Sequence, residues 1–164
     1  MGCINKTVYI FVESILYDID SELLKFSKLI ADGNPNTVLQ TDETDNNRPL
    51  MLRRIEQHVS QLHGVMQAYV LDVDKKVADN FMKECEEYDF HLSFPENWSS
   101  STFMRLPLEM HNYIVNGCIA DFLKSSMPNQ SSTYQSVADA CLWSVKHCVT
   151  SRKPDSMRKP SGWF

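Results

Sequence analysis

Five cysteines and five histidines are the residues of this 164-residue chain best equipped for chemistry. A nucleophilic thiolate needs an imidazole within hydrogen-bond reach. Cys141 and His147 are six apart on one predicted helix and cannot meet; Cys148 adjoins His147 and points elsewhere. A distant pair such as Cys118 with His147 stays open, against Cys118 as a core residue and His147 as a surface one. His58 and His63, five apart on a helix, diverge rather than share a metal, and no H-E-x-x-H or Cys/His zinc spacing occurs. Only five glycines are present, and neither G-x-x-x-x-G-K-[ST] nor G-x-G-x-x-G, so no phosphate-cradling loop is expected. Asp42, Glu43 and Asp45 lack the central glycine of a calcium loop and read as a solvated acidic stretch. Glu84, Glu86 and Glu87 have no partner motif for acid–base work. The expectation is a protein with no catalytic residues, no cofactor and no metal, and so not an enzyme.

The tail offers a different chemistry. Residues 151–164 carry Arg152, Lys153, Arg158 and Lys159 against Asp155, a local +3 that leaves −8 on the other 150 residues. Arg152-Lys153-Pro154 and Arg158-Lys159-Pro160 form a near-repeat, followed by Trp163-Phe164. Arginine and aromatics are enriched anchors of protein interfaces. The segment therefore reads as an extended arm that docks on a neighbouring subunit or another protein. The competing reading folds Trp163 and Phe164 back on their own core.

The remaining composition fits one domain, with 43% hydrophobic residues and room to bury about 70% of the unfolded surface. A net charge of −5 argues against a general nucleic-acid coat. Cys3, Cys85, Cys118, Cys141 and Cys148 form no C-x-x-C pair, and their odd, scattered set suggests a reducing compartment. No apolar run of 18 residues occurs, so no membrane span is expected. The start lacks the pattern of a signal peptide. Met1-Gly2-Cys3 opens like a dual-acylation site, but Lys6 stands where myristoylation wants Ser or Thr.

Hydrophobic spacing supplies the elements that would carry these residues. Val8, Phe11, Val12, Ile15, Leu16 and Ile19 predict helix over 7–30, as one piece or as two divided near Asp20-Ser21-Glu22. Residues 31–47 read as a polar loop. A helix over 48–70 presents Leu52, Ile55, Val59, Leu62, Met66 and Tyr69. The acidic stretch 71–87 is ambiguous. Tyr88, Phe90, Leu92 and Phe94 then alternate with polar residues as a half-buried strand. It needs a partner, from a hairpin strand in 70–82 or from another subunit. Trp98 should plug the adjoining core. Helices over 102–125 and 131–150, joined by a short connection, predict an antiparallel pair. The fold expected is mainly α: an antiparallel bundle of four to five helices with a short β-strand or hairpin at about 88–94. Residues 1–150 form one helical domain, with the β segment near 70–95 inserted in it. Residues 151–164 form the extended C-terminal arm.

In order and character, residues 45–164 resemble a known class of virion protein. The signals are an aromatic strand closing on Phe94-Pro95-Glu96-Asn97-Trp98, the run His111-Asn112-Tyr113-Ile114-Val115, a helix containing Tyr134, and an Arg-Lys-Pro tail. This layout is similar to the head–tail connector (adaptor) proteins of tailed phages and prophages of gut bacteria. The resemblance implies a structural protein, assembled in the bacterial host cytoplasm and carried in the virion. It implies a homo-oligomeric ring of helical protomers beneath the portal, touching portal and tail proteins, with DNA passing close by. It carries no active site. Candidate interface residues are Arg152, Lys153, Arg158, Lys159, Trp163 and Phe164 of the arm, with Tyr88 and Phe90 of the strand. The alternative is a small cytoplasmic helical adaptor or regulatory protein acting by protein contacts.

Overall fold

The computed structural model describes residues 3–30, 47–71 and 86–153, apart from the side chains of 27–30 and of Asn47. Several sequence features lie outside these residues: the Gly2 acylation pattern, the polar loop with Asp42, Glu43 and Asp45, most of the acidic 71–87 stretch with Cys85, and Arg158, Lys159, Trp163 and Phe164 of the arm.

The described chain is mainly helical, with four α-helices and a small two-stranded antiparallel sheet. Strand β1 (Cys3–Phe11) leads directly into helix α1 (Val12–Ile30). Helix α2 (Asn47–Met66) and strand β2 (Glu87–Pro95) follow. A 3₁₀ segment (Ser100–Arg105) then precedes helices α3 (Leu106–Leu123) and α4 (Pro128–Thr150). The expected helix over 7–30 is thus corrected at its start: residues 7–11 are strand. Val8 and Ile10 point into the core while Tyr9 and Phe11 point out, the period of two that a pleated strand imposes. From Val12 the buried positions become Val12, Ile15, Leu16, Ile19, Leu23 and Phe26, one face of a single helix running unbroken through Asp20–Glu22.

The partner of β2 is also corrected. Its paired strand is β1, which neither expectation named, in the register Cys3↔Pro95 to Phe11↔Glu87; residues 72–82 of the expected hairpin strand lie outside the described residues. The nearby chain contributes on the other edge: Val70 forms an isolated bridge with Leu92, through Leu71 N–H to His91 O at 2.9 Å and Ser93 N–H to Tyr69 O at 2.7 Å. β2 is therefore flanked on both sides.

α3 is the centre of the fold. Leu106, Met110, Tyr113, Ile114, Val115, Cys118, Ile119 and Leu123 are all buried, because α3 packs against α1, α2, α4 and β1. Pro107 sits in its first turn, where a missing N–H costs nothing. α3 and α4 run antiparallel. Ser131 Oγ donates to Ala120 O at one end, and Thr102 Oγ1 donates to Cys148 O at the other. α2 contributes Met51, Ile55, Val59, Leu62 and Met66 to the same core.

Candidate functional site

Among the described residues three polar or aromatic constellations stand out, and the third carries large apolar side chains in solvent. The first is internal. His58 on α2 lies over Gly117 of α3, where an added Cβ would come within 2.5 Å of the ring. Its Nε2 meets Asp121 Oδ2 at 3.1 Å and its Nδ1 lies 3.3 Å from the Tyr113 hydroxyl. Tyr113 in turn donates to Gln61 Oε1. Burial pushes the Tyr113 hydroxyl up to about 12, so it stays a donor. The cluster satisfies buried polar groups at a helix crossing and seats the ring where only glycine leaves room.

The second is on the sheet's outer face. His91 Nε2 meets Asp89 Oδ2 at 2.9 Å, and Nδ1 lies 3.2 Å from Thr7 Oγ1. A hydroxyl beside an imidazole that is backed by a carboxylate is an arrangement that can activate a nucleophile. Here Asp89 and His91 are two apart on β2 and Thr7 stands directly opposite His91 on β1, which is ordinary same-face pairing.

The third is an exposed aromatic recess. β1 ends and α1 begins beside the first turn of α3, and an open recess between them is lined by Tyr9, Phe11, Ser14, Asp18, Leu108 and His111. Tyr9 is 52% exposed, Phe11 55%, Leu108 59% and the neighbouring Tyr17 74%. Four large apolar side chains standing together in solvent mark an interaction surface rather than scattered exposure. His111 Nε2 meets Asp18 Oδ2 at 2.7 Å across the recess, and Glu13 at its border is paired with Arg48 at 2.9 Å.

The arm's root lies elsewhere. Arg152 bridges Trp98, and its guanidinium reaches the Tyr69 hydroxyl at 3.4 Å. Lys153 N–H donates to Asn97 O at 2.7 Å, and its Nζ donates to Glu96 O at 3.2 Å. These first two arm residues are held against their own body, at the Pro95 end of the sheet. Of the two strand candidates, Tyr88 is half-buried and Phe90 fully buried, stacked on His63 at 4.4 Å. Phe90 is a core residue of its own chain.

The cysteines are similarly placed. Cys118 is fully enclosed, and burial pushes its thiol far up, away from the reactive thiolate. Cys148 is buried and Cys141 half-buried, both thiols raised first by desolvation. His147 is on the solvent face of α4, parallel to the exposed Trp143 with ring centroids 5.5 Å apart. Among the described residues no three His, Cys, Asp or Glu side chains are grouped to hold a metal, and no helix is long and apolar enough to cross a membrane.

The aromatic recess is hidden in the sequence, because helical spacing puts Phe11 on a core face. Alternation of Val8 and Ile10 against Tyr9 and Phe11 was the signal that could have revealed it. Compared with protein-family models, with curated proteins and with solved structures, the chain matches none.

Proposed function

We propose that this protein is a non-enzymatic structural subunit that acts through contacts with copies of itself and with partner proteins. The observation that carries the reading is the separation of two surfaces. The arm departs from Lys153 at the Pro95 end of the sheet, whereas the exposed aromatics gather at the Phe11 end. A nine-residue strand lies between them, about 26 Å at the usual rise. A subunit that offers an arm at one end and an acceptor at the other assembles head to tail, and closes into a ring when the rotation permits. Beyond Lys153, residues 154–164 carry +1 and residues 1–153 carry −6, signs that favour the same contact.

The resemblance to head–tail connectors supplies a setting: a ring of helical bundles between portal and tail in a phage virion, with the Trp143–His147 face of α4 available to a second protein. Electron microscopy and mass measurement of the purified full chain, alone and with a portal ring, test this. Discrete oligomers or rings that bind the portal are expected. A protein that stays monomeric at every concentration and ignores the portal ends the reading.

A further inference from the structure

We propose that His58 is a proton-linked latch at the α2–α3 crossing, whose charge decides which way the Tyr113 hydroxyl and the Gln61 amide point. Every group in the latch lies within one copy, so it stands whether or not the chain assembles.

The ring is held in one place. It is buried, and the space over Gly117 admits its Cε1, Nδ1 and Nε2 together, all within 2.8 Å of where a Cβ would stand. Nε2 lies 3.1 Å from Asp121 Oδ2, and Nδ1 lies 3.3 Å from the Tyr113 hydroxyl. A carboxylate only accepts, so Nε2 keeps its proton in either charge state. Nδ1 is therefore the nitrogen that gains or loses one.

Nδ1 faces a hydroxyl that has a single proton and two acceptors within reach. In this structure Tyr113 donates to Gln61 Oε1. Its oxygen is then an acceptor toward His58, which suits an Nδ1 that carries hydrogen, the imidazolium. A neutral ring leaves Nδ1 with a lone pair only. Tyr113 must then donate to His58, and Gln61 Oε1 is left facing a phenolic oxygen with no proton to offer. Turning the amide over brings its NH2 to Tyr113 and restores the bond. Gln61 is exposed, so the turn meets solvent rather than packed side chains. The outward half of the amide changes with it: NH2 while His58 is charged, the carbonyl oxygen while it is neutral. A proton taken up in the core is thus read on the surface of α2.

The surrounding groups leave both states open. From α2, Arg54 Nη1 lies 3.8 Å from the same Asp121 oxygen, so that carboxylate has a cationic neighbour even when the ring is neutral. From α3 come Asp121, the Tyr113 hydroxyl and Cys118, whose thiol burial holds in the uncharged form. Burial and then the Asp139 carboxylate of α4 push the Tyr113 hydroxyl up to about 12. Tyr113 therefore keeps its proton throughout the range in which histidine titrates.

The test is nuclear magnetic resonance on the full chain, labelled with nitrogen-15 and carbon-13 and titrated from about pH 5 to pH 9. The His58 Nδ1 signal should pass from protonated to free while Nε2 stays protonated. The Gln61 side-chain amide should shift with the same midpoint. In Tyr113→Phe the two should part, with His58 still titrating and the Gln61 amide no longer following. Gln61→Met, at an exposed position, removes the acceptor that Tyr113 uses in the charged state, and the His58 midpoint should fall by about 0.5 pH unit or more. The latch is overturned by a His58 that does not titrate in this range, or by a proton lost from Nε2. It is equally overturned by a Gln61 amide that ignores His58 in the wild type or still follows it in Tyr113→Phe, and by an unmoved midpoint in Gln61→Met. If Tyr113→Phe does not fold, the wild-type titration and Gln61→Met decide.

Discussion

At the Pro95 end of the sheet, aromatic side chains are packed on one another. Phe94 and Trp98 stack with centroids 3.9 Å apart, Tyr69 and Phe103 lie against them, and the Trp98 indole donates to Cys148 O at 2.9 Å. At the Phe11 end, Tyr9, Phe11, Tyr17 and Leu108 stand in solvent. The two ends have similar compositions and opposite fates. The difference is what covers them. The Pro95 end lies under the return of the chain after α4, whose Arg152 bridges Trp98; among the described residues the Phe11 end has the first turns of α1 and α3 beside it. Aromatic content alone therefore does not separate core from interface.

Substitutions at the two ends should separate stability from association. Trp98→Ala should have the largest effect, a loss of about 3–5 kcal/mol of folding stability in denaturant titrations, since it empties the stack and removes one of the two donors to Cys148 O. A loss under about 1 kcal/mol would mean the Pro95 end is not the packed end. Gly117→Ala asks whether tight packing extends to the α2–α3 crossing. A methyl there meets the His58 ring at 2.5 Å, and about 1–3 kcal/mol should be lost to overpacking. An unchanged melting temperature would show that the ring moves aside freely.

Alkaline pH reaches the same crossing without a mutation. Burial raises the hydroxyls of Tyr113 and Tyr134 to about 12, with the Glu22 carboxylate adding to the effect at Tyr134. A folded pKa above the unfolded value of about 10 means that the unfolded chain ionises first. Stability should hold below about pH 10 and fall as pH rises from 10 toward 12. Tyr113→Phe should blunt that fall; an identical alkaline slope in the variant would remove Tyr113 from the account.

The smallest folding effects belong to the open end. Phe11→Ser should change stability by no more than about 0.5 kcal/mol, while sedimentation shows weaker association. Asp18→Asn removes a half-exposed partner of His111 and should cost roughly 0–1 kcal/mol. A loss above about 2 kcal/mol from Phe11→Ser would show that Phe11 serves the core after all.

Much of the helical layout was legible. Met110, Tyr113, Ile114 and Cys118 recur at helical spacing, and the short connection at 124–127 dictates the antiparallel α3–α4 pair. The alternation over 88–94 was equally readable, because its polar residues fall between Phe90, Leu92 and Phe94. β1 was not. Its inward residues join the stripe of α1 with no glycine or proline between them, so the period changes from 2 to 3.6 without punctuation. Its partners lie 76 (Phe11↔Glu87) to 92 (Cys3↔Pro95) residues away, beyond any local signal. The seat of His58 was hidden for the same reason: Gly117 leaves the space from another helix. In the arm, charge and aromatic content singled out the segment. The attachment of Arg152 and Lys153 to residues 96–98 depended on where β2 ends, which the sequence left open.

The pairing of β1 with β2 also has a consequence in time. Thr7 and His91 are 84 residues apart. At synthesis rates of about 5–20 residues per second, β1 waits roughly 4–17 s for its partner after it emerges. During that interval Val8 and Ile10, buried in the finished fold, are as uncovered as Tyr9 and Phe11. The segment Lys6–Phe11 is then a short β-prone stretch rich in branched and aromatic residues, the kind that aggregates when exposed. α1 and α2 are complete before β2 exists, but α3, on which both pack, follows β2 in the chain. The step that closes the sheet is the late one, and a chaperone acting on this protein would find its binding site in Lys6–Phe11.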